Sequence, residues 1–167
     1  MSFSEKIDNT FISMTPDELS YKKIKEHYES LGLGLRVQPF NEIHCTIINY
    51  WIQTEVPKSF CERKFLIKRD TYSHRLVKRD SGTSVILLCF FNYGLKLLHK
   101  DLILKYGTGH RHKSFLQHIS ISYGVDNDIN ISKLPLPEFD ISLENFSGSS
   151  GVDISTLESD LENLDWN

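Results

Sequence analysis

His44-Cys45-Thr46-Ile47 and His118-Ile119-Ser120-Ile121 are one four-residue phrase written twice: histidine, apolar, hydroxyl, apolar. Each falls in a run that reads as a β-strand, 43–50 and 115–123. Strand side chains alternate faces, so His44 and Thr46 share one face while Cys45 and Ile47 take the other. His118 and Ser120 divide from Ile119 and Ile121 in the same way. Laid side by side, such strands bring two imidazoles and two hydroxyls to one cleft. Two imidazoles can act as general acid and general base, and two hydroxyls can hold a phosphate oxygen. With average composition, roughly 1–2% of histidines would open such a phrase by accident. The chain has 7 histidines, so two chance matches are rare. The competing reading is two amphipathic strands with histidine on the solvent face. A looser match, His112-Lys113-Ser114, has lysine at the apolar position and reads as loop.

The flanking chain repeats an order of helix, glycine-rich turn and motif strand. Thr15, Pro16 and Glu18 suit the N-cap, first helical position and capping-box acid of a helix running to Leu31. Leu19, Ile24, Tyr28 and Leu31 give it a partial apolar stripe, and Gly32 and Gly34 end it. In the second half Asn92 caps a helix over 93–106 with Leu95, Leu98, Leu102 and Tyr106 inward. A polar loop over 107–114 leads to the second motif.

The remaining segments read mostly as strands. Segment 11–14 predicts a short edge strand, and 35–37, 65–68 and 74–78 read extended. Segment 84–91 is apolar on both faces, as in a central covered strand, and follows a turn at 80–83. Segment 139–146 alternates, with Phe139, Ile141 and Leu143 opposite Asp140, Ser142, Glu144 and Phe146. The expected architecture is α+β: two pseudo-symmetric lobes with antiparallel sheets around a central groove and helices outside. Residues 1–150 form one catalytic domain. Residues 151–167 are an acidic tail, either a short helix through Ile154, Leu157, Leu161 and Leu164 or disordered.

A chain of 167 residues with 40% apolar content can bury one ordinary core. Its net charge of −3 argues against a duplex-DNA partner, which wants a basic face. Three cysteines, Cys45, Cys61 and Cys89, show no metal spacing and suit buried positions in a reducing compartment. No segment is apolar enough to span a bilayer, and nothing resembles a signal peptide. The expectation is a cytoplasmic monomer without membrane contact.

The paired tetrads resemble the signature of the 2H phosphoesterase superfamily, in which one such motif lies in each half of a pseudo-twofold fold. The resemblance implies that His44 and His118 are the acid/base pair and that Thr46 and Ser120 bind phosphate. It implies no metal and no other cofactor. Members act on 2′,3′-cyclic phosphates, 2′–5′ RNA linkages, oligonucleotide 3′ ends and cyclic nucleotides. The size, the helix before the first motif and the motif's position are most similar to a phage branch that degrades cyclic di- and trinucleotide signals of bacterial immunity. The implied partner is therefore a small cyclic nucleotide, met in the host cytoplasm. An RNA-end phosphodiesterase and a non-catalytic nucleotide-sequestering protein are the alternatives. Imidazole chemistry would give a bell-shaped rate profile near pH 6–8.

Base recognition is less marked. Phe11, Glu144 and Phe146 are candidates, two as stacking planes and Glu144 as acceptor for an adenine amino group. Core packing of the phenylalanines and solvation of Glu144 compete with that role. Tyr50, by alternation on the His44 face, and the basic loop His110-Arg111-His112-Lys113 are further possible contacts. His27, His74 and His99 read as structural.

Overall fold

The computed structural model describes residues 10–49, 62–106 and 115–150. Among the described residues are seven strands, which build two antiparallel sheets, and two α-helices. The first sheet has the order β2-β1-β7-β3, with β1 Thr10–Pro16, β2 Cys45–Asn49, β3 Phe65–Ile67 and β7 Ile141–Ser150. The second has the order β4-β5-β6, with β4 Ser73–Lys78, β5 Thr83–Cys89 and β6 His118–Asp126. Helices α1 (Glu18–Glu29) and α2 (Tyr93–Tyr106) pack on one side of them. The α+β architecture expected from the pattern is the one observed. The sequence halves, however, do not map one-to-one onto the sheets, because the C-terminal strand β7 inserts between β1 and β3.

One apolar core joins both sheets. Ile12, Met14, Cys45, Ile141 and Leu143 from the first meet Ile86, Leu88, Ile119 and Ile121 from the second. Ile24 and Tyr28 of α1 and Leu95, Leu98 and Leu102 of α2 close it, and all five are fully buried. Each such leucine or isoleucine contributes about 1.5–3 kcal/mol by leaving water. A smaller cluster of Val77, Val85, Leu87 and Cys89 covers the other face of the second sheet. Cys45 and Cys89 are buried, as expected.

Several local expectations need correcting. β1 is an interior strand rather than an edge, because its backbone hydrogen-bonds to β2 on one side and to β7 on the other. The α1 N-cap is Asp17, whose Oδ1 accepts from the Ser20 amide at 2.7 Å, so Thr15 and Pro16 end β1 instead. That start turns Ser20, Ile24 and Tyr28 inward and leaves Leu19 62% exposed. Segment 35–37 does not form a strand of either sheet. In the second half, Asn92 caps α2 as expected, its Oδ1 accepting from the Leu95 amide at 3.0 Å. β5 is the central, fully covered strand of its sheet.

Candidate active site

The two motif strands lie against one another. β2 is an edge strand of the first sheet, β6 an edge strand of the second, and the two are in contact. The chain over 36–38 laces them together. The Gln38 amide donates to the Ile121 carbonyl at 3.0 Å, and Ser122 Oγ donates to the Arg36 carbonyl at 2.7 Å. Gln38 Nε2 donates to the Ser120 carbonyl, while Tyr21 Oη of α1 holds the Gln38 carbonyl at 2.7 Å. The expected strand here is thus an extended segment bound to the open edge of β6. It turns through Pro39, whose carbonyl accepts from Glu42 and Ile43, and delivers His44 to the start of β2.

Within each motif strand the register slips at the same place. Thr46 stands opposite Ser13 and Ile48 opposite Ile12, so Ile47 is the extra residue of a β-bulge. Ser120 stands opposite Leu87 and Ser122 opposite Ile86, so Ile121 is the extra residue in β6. Both are the fourth residue of the motif. A bulge takes a carbonyl out of the ladder and re-aims the neighbouring side chains. Each of these carbonyls has an outside donor: His99 Nδ1 reaches that of Ile47 at 2.8 Å, and the Gln38 amide that of Ile121.

The histidines repeat the symmetry. His44 Nδ1 lies 2.7 Å from the Glu42 carbonyl, and His118 Nδ1 lies 2.9 Å from the Leu116 carbonyl. A carbonyl only accepts, so each Nδ1 carries the proton and Nε2 is the nitrogen of each ring that exchanges one. Both rings are half-buried, as is Thr46, and Ser120 is buried.

All four motif residues belong to the sheet faces turned away from the shared core. On the first sheet that face carries Ser13, Thr15, Thr46 and Glu144 by register. Glu144 Oε2 lies 3.6 Å from Lys64 Nζ across the sheet. On the second sheet the face carries His118 opposite Cys89, and Ser120 opposite Leu87 and then Arg75. Ser13 and Arg75 had no signal beyond strand alternation.

Strict alternation along β7 holds only to Glu144. Asn145 has φ 55°, and the register passes from Glu144 opposite Thr15 to Ser147 opposite Ser13. The backbone therefore carries one extra residue between Glu144 and Ser147. Phe11 lies in β1 between Asn49 and Ser149. Tyr50, loop 107–114 with its basic run, Cys61 and the tail 151–167 are outside the described residues.

The other described histidines are fixed in the fold. His74 Nε2 hydrogen-bonds Tyr28 Oη at 2.7 Å, and burial, reinforced by the neighbouring His27, depresses its pKa to about 4. Burial also lowers the pKa of His99, whose ring stacks on Phe115 with centroids 4.2 Å apart. His27 Nε2 bonds the Pro135 carbonyl at 2.8 Å. Among the described residues, no three His, Cys, Asp or Glu side chains converge as metal ligands. No described helix is long and apolar enough to cross a membrane.

The family model of the anti-CBASS protein Acb1 matches residues 8–148. The chain belongs to the Acb1 family. The match spans both motif strands, and Acb1 membership with this fold makes the chain a phosphodiesterase of the 2H type. Among solved structures, apo E. coli LigT is similar over 84% of this chain and 86% of its own, with 16% identity and a TM-score of 0.54. LigT complexed with 3′-AMP matches over the same shares at 15% identity and 0.52. A further phosphoesterase matches over 84% and 86% at 15% identity and 0.53. At these identities the likeness is one of fold, and it agrees with the resemblance drawn from the paired tetrads. No curated protein matches the chain.

Proposed function

We propose that this Acb1-family phosphodiesterase cuts the 3′–5′ linkages of small cyclic di- and trinucleotide immune signals, acting in the cytoplasm of a bacterial host. The observation that carries the reading is the matched anchoring of His44 and His118 on adjoining strands. One imidazole takes the proton of a ribose 2′-hydroxyl through Nε2. The O2′–P bond forms and the P–O5′ bond breaks, and the other imidazole gives its proton to the departing O5′. The product is a linear oligonucleotide with a 2′,3′-cyclic phosphate and a 5′-hydroxyl. Water can open that ring with the two imidazoles exchanging roles. Thr46 and Ser120 donate to the non-bridging oxygens as charge builds on them. These steps call on side chains alone.

A small anionic nucleotide suits a chain of net charge −3 better than a long nucleic acid does. LigT has been crystallised with 3′-AMP and with phosphate, which supports a nucleotide phosphate as the ligand of the fold. Glu144, on the motif face, is proposed as the acceptor for a base amino group, with Phe11 and Phe146 as stacking planes.

The test is incubation, with EDTA present, with cyclic di- and trinucleotides, a 2′,3′-cyclic-phosphate RNA and a 2′–5′ oligoadenylate, with products resolved by mass. Linearised cyclic nucleotides support the proposal. Cleavage of the linear RNAs alone would move the enzyme to RNA ends. Binding without any product would leave a sequestering protein.

A further inference from the structure

Two hydroxyls and two imidazoles leave the scissile phosphate without a permanent cation, and the second sheet places one within reach. Cross-strand partners share a face, so Arg75, Leu87 and Ser120 form one row across β4, β5 and β6. The next row on that face is Ser73, Cys89 and His118. Arg75 stands two strands from Ser120, about 9.6 Å between Cα positions at ordinary strand spacing. A long arginine side chain lying over Leu87 covers most of that gap.

We propose that Arg75 is a phosphate-binding residue of the active site, its guanidinium gripping the non-bridging oxygens of the phosphate held at Ser120 and His118. The inference rests on the function proposed above and names the charge that completes it. Arg75 is half-buried, which fits a side chain laid along the sheet rather than one extended into solvent. Its charge is felt at Cys89: burial pushes that thiol up to about 11, and the guanidinium works against the rise. Cys89 is the direct cross-strand partner of His118, so the charge already reaches toward the row of the second histidine. A guanidinium suits the task because it stays protonated at any working pH and offers a planar fork to two phosphate oxygens. Across the groove, the cation observed on the first sheet's motif face, Lys64, is engaged with Glu144.

The experiment compares wild type, Arg75→Lys and Arg75→Gln. Binding of 3′-AMP and of adenosine is measured by calorimetry, turnover on cyclic tri-adenylate by mass, and melting temperature on each protein. The expected result is at least a tenfold loss of 3′-AMP affinity in Arg75→Gln with adenosine binding unchanged. Arg75→Lys keeps the charge without the fork and falls between. Loss of kcat/KM on the cyclic substrate is roughly 10²-fold. A wild type that binds 3′-AMP but cuts no cyclic trinucleotide would sink the substrate reading and leave the arginine assignment standing on the binding data. Either variant binding 3′-AMP as tightly as wild type would overturn the assignment. So would equal losses for adenosine and 3′-AMP, or a wild type that does not bind 3′-AMP. If Arg75→Gln melts early, Arg75→Lys alone decides.

Discussion

His44 and His118 are anchored alike: each ring gives its Nδ1 proton to the carbonyl of the residue two positions earlier, Glu42 in one case and Leu116 in the other. Each stands at the start of a strand run that bulges at the fourth motif residue, with the bulged carbonyl bound from outside the sheet. The two halves thus repeat in backbone detail what the tetrads repeat in sequence.

The outside donors should matter for that geometry. His99→Leu removes the donor to the Ile47 carbonyl and leaves a buried acceptor short of a partner, at a cost of about 1–3 kcal/mol. Gln38→Ala removes the side-chain bond to Ser120 and should cost about 1 kcal/mol. Thermal melts should fall by roughly 2–4 °C per kcal/mol, and turnover should fall with them. Unchanged melting in His99→Leu would show that the β2 bulge holds itself, and in Gln38→Ala that the Gln38 backbone amide alone secures this segment to β6.

The hydroxyls should act through charge rather than packing. Thr46→Val keeps shape and removes the donor, and should lower kcat roughly 10²-fold with little change in melting. Thr46→Ser should retain most activity. Ser120→Ala should match Thr46→Val, and initial rates on the cyclic substrate check all three. A Thr46→Val enzyme within threefold of wild type would remove Thr46 from the phosphate site.

Stability should fall on mild acidification. The folded protein holds His74 near pKa 4, against 6.5 for a free imidazole side chain, so the unfolded chain binds more protons between those values. Unfolding free energy is therefore unaffected by His74 above about pH 6.5, is lost as pH drops toward 4, and loses no more from this group below that. His99, also depressed, acts in the same direction. His74 is partly solvated, so the full shift overstates the effect, and a melting drop of roughly 5 °C across the window is expected. His74→Gln should flatten that limb in a pH series of melts. An equally steep limb would assign it elsewhere.

Gly94 is a packing constraint near the start of α2. A Cβ there would meet Phe65 Cε1 at 2.8 Å and the capping Asn92 Oδ1 at 3.1 Å. Gly94→Ala should cost about 1–3 kcal/mol by crowding, despite alanine's better helix propensity. A denaturant melt with an unchanged or higher midpoint would show that Phe65 yields freely.

Much of this was legible in the sequence because the determining signals are local. Two-residue alternation announced both motif strands, Asn92 announced its helix, and the unbroken run at 84–91 announced the central strand. What escaped was set by tertiary contacts. Asp17 outcompeted Thr15 for the cap because Thr15 is committed to pairing with Glu144. The chain over 36–38 binds β6 through hydrogen bonds to residues more than 80 positions away. The bulge at Asn145, which adds a residue between Glu144 and Ser147, has no sequence cue beyond asparagine's tolerance of positive φ. Arg75 is one of several charged residues in its region until the register sets it in line with Ser120.

The most direct test of the two-histidine mechanism is single-turnover cleavage of a cyclic trinucleotide by wild type, His44→Ala and His118→Ala, with substrate affinity and melting temperature measured on the same preparations. Each variant should fold and bind within a few fold of wild type while cleavage falls at least 10²–10⁴-fold, and the wild-type product should appear first as the 2′,3′-cyclic phosphate. Either folded variant cutting at close to the wild-type rate would contradict the account.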